Sequence, residues 1–205
     1  MTEAREAFLR RLKTFGEDND RTAATRAEKM LNITEDTGRL IGMLIRAWKP
    51  AHILEVGTSN GYSTIWWADA LTDPGQRLVT LEINPAKVVQ ATENFRQAGV
   101  ADRIQVVSGD AGEFLRHTRD VTWGLIFLDA ERSEYVGYWP DLARILAPDG
   151  LLIVDNAVDK AVELEDFHRV VAGTPGFRQV LVPLGNGELF IQRDRSSESA
   201  GRVMD

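Results

Sequence analysis

HILEVGTSNGYSTIWWADAL, residues 52–71, is the stretch that decides the fold. Its first five residues form an apolar-rich run without strict alternation, the pattern of a strand buried on both faces of a parallel sheet. Gly57 and Gly61 follow, and glycine lets the backbone turn sharply and approach a ligand closely. A helical stretch over about 61–71 starts at once. Moving outward, the same alternation recurs. Further runs are RLVTLEI (77–83), RIQVV (103–107), GLIFLD (124–129) and LLIVD (151–155), with helical segments at about 85–98, 111–118, 134–146 and 160–172. Asn84-Pro85 reads as an N-cap with proline at the first helical position, and Asp110 with Glu113 fits a capping box. Strand–helix repetition of this kind implies a doubly wound α/β sheet with right-handed crossovers.

Both ends of the chain depart from that repeat. FRQVLVPL (177–184) and ELFIQR (188–193) flank Gly185-Asn186-Gly187 with no helix between them, so they are expected to pair as an antiparallel hairpin at one edge. The expected sheet is therefore mostly parallel and seven-stranded. At the other end, residues 1–48 read as helices. Phe8, Leu9 and Leu12 make a short apolar stripe, GEDND (16–20) reads as a turn, and a second helix is expected over about Ala23 to Leu31. Thr34 reads as the N-cap of a third helix, with Glu35 and Asp36 in its first turn. Lys49-Pro50 ends it. No linker or second core is evident. The chain is read as one domain: a helical extension (1–48), an α/β core (49–193) and a polar, flexible tail (194–205).

Composition narrows the function. The 205 residues carry a net charge of −7, with 43% hydrophobic and 27% charged residues, an ordinary balance for a soluble protein. The acidic surface disfavours nucleic acid as a partner and favours small molecules. There are no cysteines, which excludes disulfides, thiolate catalysis and cysteine-ligated zinc. His52, His117 and His168 are too dispersed to pair as zinc ligands. No apolar run approaches the ~20 residues needed to span a membrane, and the charged N-terminus lacks a signal-peptide core. A cytoplasmic location is expected.

In an open parallel sheet, ligands bind at the carboxyl ends of the strands. The first strand ends in Glu55 and the turn through Gly57, Ser59, Gly61 and Ser63. This spacing is not G-x-G-x-x-G, which removes the dinucleotide fingerprint. The second strand ends in Glu82, whose two oxygens can accept both hydroxyls of a ribose. Its distance from Gly57 is close to the ~20-residue offset of nucleoside-binding sheets. Asp110 either reaches an adenine amino group or only caps its helix. Asp129 ends the fourth strand, and Asp155-Asn156 end the fifth. Two carboxylates and an amide oxygen converging there suit a hard cation such as Mg²⁺, while each pair alone also suits a turn. Trp66, Trp67, Tyr135, Tyr138 and Trp139 read chiefly as packing. Glu188, at the hairpin, is a further candidate for a substrate contact.

Glu55 to Ser63, Glu82-Ile83-Asn84-Pro85, Phe127-Leu128-Asp129 and Asp155-Asn156 occur in an order and spacing that resembles the cation-dependent O-methyltransferases, the catechol and caffeoyl-CoA O-methyltransferase group. Met30 to Thr34 resembles the segment that this family places ahead of the helix before strand one. The resemblance covers about residues 30–193 and implies a class I methyltransferase fold, Rossmann-like, that uses S-adenosylmethionine. It implies that Gly57, Ser59 and Ser63 line the methionine part of the cofactor together with Ile33, with Glu55 and Asp129 in the same cofactor-binding set. It further implies Glu82 at the ribose, Asp110 and Ala111 beside the adenine, and Asp129, Asp155 and Asn156 as metal ligands. A homodimer is also implied. One position departs. Many members have a lysine base three residues beyond the first metal aspartate, and here that residue is Arg132. A guanidinium, with a pKa above ~12, takes no proton at neutral pH. Arg132 instead suits an acceptor oxyanion or carboxylate.

The expected activity is methyl transfer to a small-molecule hydroxyl with an adjacent oxygen, as in a catechol, with Asp129 and Arg132 nearest the chemistry. Two rivals stand beside it: a tRNA-modifying methyltransferase of the same fold, and a cofactor-binding protein without turnover. A nicotinamide dehydrogenase is disfavoured by the missing fingerprint.

Overall fold

The structure is a computed structural model that describes residues 1–194. The expected flexible tail lies outside the described residues apart from Asp194. Seven strands form one sheet: β1 (His52–Val56), β2 (Arg77–Glu82), β3 (Ile104–Ser108), β4 (Trp123–Leu128), β5 (Leu146–Val154), β6 (Phe177–Val182) and β7 (Glu188–Arg193). Their order is β3-β2-β1-β4-β5-β7-β6. The first five pair in parallel. β7 runs antiparallel to both β5 and β6, so the hairpin is inserted with its second strand against the parallel sheet. The strand order reverses between β1 and β4, and a cleft opens at such a switch point.

The helices are α1 (Glu3–Thr22), α2 (Glu35–Trp48), α3 (Tyr62–Ala70), α4 (Pro85–Ala98), α5 (Ala111–His117), α6 (Tyr135–Ile145) and α7 (Glu165–Ala172). Side chains alternate across each strand, which divides the core in two. Ile53, Leu125, Phe127 and Ile153 join α1 to α4 on one face. Leu54, Ile126, Leu128 and Leu152 join α5 to α7 on the other. Buried on both sides, the strands need no polar alternation, which explains their continuous apolar runs. The three N-caps form, although at Asp110 the cap is made by its own side chain and not as the reciprocal box with Glu113. The side chains of Thr34, Asn84 and Asp110 accept from Thr37 N, Ala86 N and Glu113 N. Among the described residues, no helix is long and apolar enough to cross a membrane.

Three expectations about helices fail. GEDND forms no turn, because α1 runs unbroken from Glu3 to Thr22. Gly16 is buried there, and a Cβ on it would overlap the Asn32 amide. The glycine serves close packing within a helix. The expected helix at 23–31 shrinks to one 3₁₀ turn, Arg26–Glu28. The rest of this stretch is an irregular strap tied back to the end of α1: Asp20 accepts from Met30 N (2.6 Å) and Leu31 N (2.8 Å), and Asn19 donates to Glu28 O (2.9 Å). The last helix also starts later than 160, with turns between β5 and α7.

Candidate active site

The carboxyl ends of β1, β2 and β4, the segment after β5 and the strap enclose a cavity of about 840 Å³. Gly57 leaves β1 at φ +107°, and a Cβ there would overlap the Asp129 carbonyl. Only glycine lets the ends of β1 and β4 approach this closely. Gly57 N and Thr58 N both donate to Leu81 O, which ties the turn to β2.

Glu82 is 8% exposed and lines the cavity. Its Oε2 accepts from Ser59 N and its Oε1 from Asn84 N, each at 2.8 Å. The carboxylate is thus fixed in direction, with lone pairs left for a ligand. Ile33, Gly57, Ser59, Ser63, Asp110, Ala111 and Asp129 border the same cavity. Asp110 both caps α5 and faces the space, so its two readings coexist. Ser63 Oγ donates to Glu55 at 2.5 Å, which leaves its lone pairs as what it can offer a ligand.

Glu55 does not belong to the lining. It is 0% exposed and accepts from Ser63, Thr64, Thr80 and Trp67, behind the cavity wall. Burial pushes its carboxyl above the usual range against the pull of those four donors. The expectation of a direct cofactor contact from Glu55 is therefore corrected: its reach extends to the cavity through Ser63.

Asp129, Arg132 and Asn156 line the second half of the cavity, while Asp155 stands behind them, 2% exposed. Backbone bonds between strand ends set their height: Asp129 N donates to Val56 O (3.0 Å) and Asp155 N to Leu128 O (3.2 Å). Asn156, at φ +64°, directs Nδ2 to Asp155 Oδ2 (2.5 Å) and, more weakly, to Asp129 Oδ1 (3.5 Å). Tyr135 steadies the loop between them, since its hydroxyl accepts from Ala130 N and donates to Ala130 O. The three residues named as metal ligands do converge. Burial raises the Asp129 carboxyl, and the neighbouring Asp155 raises it further. Burial also raises Asp155.

Glu188, at the start of β7, is buried behind the same acids. Its Oε1 accepts from Thr37 Oγ1 at 2.7 Å, and its Oε2 has no donor. Asp155 Oδ1 is likewise buried without a donor. Two facing carboxyls attract only if one carries a proton, and burial with Asp155 beside it pushes Glu188 up to about 10. Glu188 does not reach the cavity, which removes it as a substrate contact.

The groups are two carboxylates and an amide; the amide turns Nδ2 toward the acids while its Oδ1 accepts from Asn186 Nδ2 at 3.3 Å, and Asp155 is paired with Glu188. That set fits a hard divalent cation by kind. It is a lean set: among the described residues no three His, Cys, Asp or Glu side chains group as metal ligands.

Lys87 is a lining residue that the sequence reading missed. Its Nζ donates to Lys29 O (2.6 Å) and to Ser59 Oγ (3.3 Å), bridging the strap and the glycine turn. Ser59 Oγ adds a bond to Met30 O at 2.7 Å. Burial lowers the lysine pKa, and Glu82 counteracts it. A lysine in the first turn of α4, where the helix dipole disfavours a cation, was the available signal. Tyr138 also borders the cavity, while Tyr135, Trp139 and Trp67 are core residues as expected.

Comparison with known proteins follows the same outline. The chain matches the family described as O-methyltransferase over residues 10–193. It is 31% identical over 156 residues to the catechol O-methyltransferase of Niastella koreensis, covering 74% of this chain and 70% of that one. Cofactor-bound Rv0187 from MTB superimposes with a TM-score of 0.76 at 26% identity, over 90% of each chain. The SAH-bound Podospora anserina methyltransferase PaMTH1 shares the fold, with a TM-score of 0.79 at 22% identity over 95% of this chain and 89% of that one.

Proposed function

The chain belongs to the O-methyltransferase family, and from that premise we propose that it moves the methyl group of S-adenosylmethionine onto a hydroxyl of a small, catechol-like molecule with help from a divalent cation such as Mg²⁺. The observation that carries this reading is the pairing, around one cavity, of the fixed Glu82 carboxylate with the Asp129–Asn156 cluster on the next strand ends. The cofactor supplies an electrophilic methyl group when bound, and the cation a positive charge at the acceptor oxygens.

The rest is the work of the chain. Glu82 accepts the ribose hydroxyls. Asp110 and Ala111 flank the adenine. Ile33, Gly57, Ser59 and Ser63 enclose the amino-acid part, with the lone pairs of Ser63 toward the ammonium group. Asp129, Asp155 and Asn156 would hold the cation. Orientation supplies most of the acceleration, since the reaction needs one oxygen held in line with one carbon. In this reading residues 49–193 are the catalytic core and residues 1–48 its helical cover, in which the strap rather than α1 meets the cofactor mouth. A homodimer in the cytoplasm belongs to the same proposal. Its support is the apolar surface that α2 leaves open at Met43 and Trp48 (68% and 40% exposed) and the cysteine-free composition.

The test is calorimetry with S-adenosylhomocysteine followed by methylation of a catechol panel. The expected result is cofactor binding and turnover that EDTA abolishes and Mg²⁺ or Mn²⁺ restores. Full activity in excess EDTA, with metal-free protein confirmed by elemental analysis, would remove the cation from the mechanism. Failure to bind S-adenosylhomocysteine would remove the cofactor.

A further inference from the structure

Arg132 is 6% exposed, yet it lines the cavity beside Asp129. Its charge contacts are long: Nη2 lies 4.0 Å from Asp129 Oδ1, and Nη1 lies 3.5 Å from Glu163 Oε2. Nε and Nη1 are buried and have no hydrogen-bond partner. A guanidinium carries five N–H donors in a fixed fork, and leaving such donors buried and unpaired is costly. Nη2, beside Asp129, is the guanidinium nitrogen not shut off in this way, and a donor held at a cavity wall complements a negatively charged ligand atom.

The groups around Arg132 sharpen this. A guanidinium takes no proton at neutral pH. None of His52, His117 and His168 lines the cavity. The amine of Lys87 is engaged by Lys29 O and Ser59 Oγ, at the glycine turn. Asp129 and Asp155 face the Asn156 amide. The acceptor side of the cavity thus offers the Nη2 edge of one guanidinium and no free amine or imidazole to remove a proton.

We propose that this site selects acceptors whose hydroxyl is already ionised, acidic phenols or enols, and that Arg132 binds the resulting oxyanion. This rests on the methyl-transfer reading above and names its substrate class. The acceptor loses its proton to solvent before it binds. In the transfer step, an electron pair of the oxyanion forms the new O–CH₃ bond. The C–S bond breaks, its pair passes to sulfur, and the sulfonium becomes a neutral thioether. No proton moves in that step.

The experiment uses 4-nitrocatechol, whose absorption reports its own ionisation, titrated into protein saturated with S-adenosylhomocysteine. EDTA is present, so that Arg132 is the buried positive charge at the acceptor side. The buffer is set one pH unit below the pKa of the free ligand. Wild type is expected to hold the ligand with the spectrum of its anion. Arg132→Met is expected to bind at least ten-fold more weakly and to lose that spectrum, while Arg132→Lys keeps part of it. The spectrum bound to wild type decides the matter even where a variant does not fold. A neutral bound spectrum, no binding by wild type, or equal affinity and spectrum in wild type and a folded Arg132→Met would overturn the proposal. Calorimetry with S-adenosylhomocysteine alone separates the cases: intact binding there leaves the cofactor reading standing while this inference falls.

Discussion

Glu55 and Glu82 are acids near the ends of adjacent strands, 0% and 8% exposed, and their surroundings give them opposite work. Glu55 collects four side-chain donors. Glu82 collects two backbone donors and keeps one side open to the cavity. Glu55→Ala leaves three hydroxyls and an indole N–H buried without their acceptor. The expected loss is about 3 kcal/mol or more of stability, read by urea denaturation. Glu82→Ala instead should weaken S-adenosylhomocysteine binding by ~1.5–3 kcal/mol, the worth of charged hydrogen bonds, measured by calorimetry. Unchanged cofactor affinity in Glu82→Ala would take that residue out of the site. The sequence shows two acids in apolar runs and cannot rank them. Ser63, Thr64 and Trp67 reach Glu55 from α3, and Thr80 reaches it through the β1–β2 register that pairs Glu55 with Thr80. Those are tertiary facts, whereas the position of Glu82 at a strand end beyond a glycine turn is local and was legible.

Among the elements, the helices that begin at a cap were legible and the strap over the cavity was not. Thr34, Asn84 and Asp110 announce their helices because the side chain that caps is itself in the sequence. GEDND misleads because all its residues but Glu17 favour turns. Its outcome is decided by Asn32, which packs on Gly16, and by the strap amides that Asp20 collects. The strap therefore depends on a few long-range polar ties, with Lys87 holding it from the opposite side. Lys87→Met keeps the length of the side chain and removes those bonds. Cofactor affinity is expected to fall by about 1 kcal/mol, the net worth of a typical hydrogen bond. The amides of Met30 and Leu31 should exchange faster with deuterium while those of β1 stay protected. Unchanged exchange at Met30 and Leu31 would show that the strap holds without Lys87.

At the scale of the molecule, the parallel core, its antiparallel hairpin and the rim where the site lies were all readable, because a strand buried on both faces leaves a continuous apolar signature. The depth of the acidic cluster was not readable. Glu188 lies far along the chain from Asp155, and only the β5–β7 pairing brings the two acids together. That pairing makes global stability depend on pH, most clearly in the presence of a chelator. With its pKa pushed up to about 10, the Glu188 carboxyl keeps a proton in the folded state that the unfolded chain releases above about 4.5. Between those values the folded state binds more protons, so stability falls as pH rises. The slope from one such group reaches at most ~1.4 kcal/mol per pH unit. Asp129, Asp155 and Glu55 are shifted in the same direction and add to the same sign. In EDTA the protein is therefore expected to be most stable near pH 5 and to lose melting temperature steadily toward pH 9. Glu188→Gln keeps the shape and carries no titrating proton, so its melting temperature should fall less over that range and cross above wild type on the alkaline side. Thermal melts of both proteins in EDTA, at half-unit steps of pH, make the comparison. Parallel curves would show that Glu188 carries no extra proton in the folded state. Curves that converge at alkaline pH when Mg²⁺ replaces EDTA would locate the bound charge beside this buried pair, since a nearby cation favours the ionised carboxylate and removes the proton on which the difference rests.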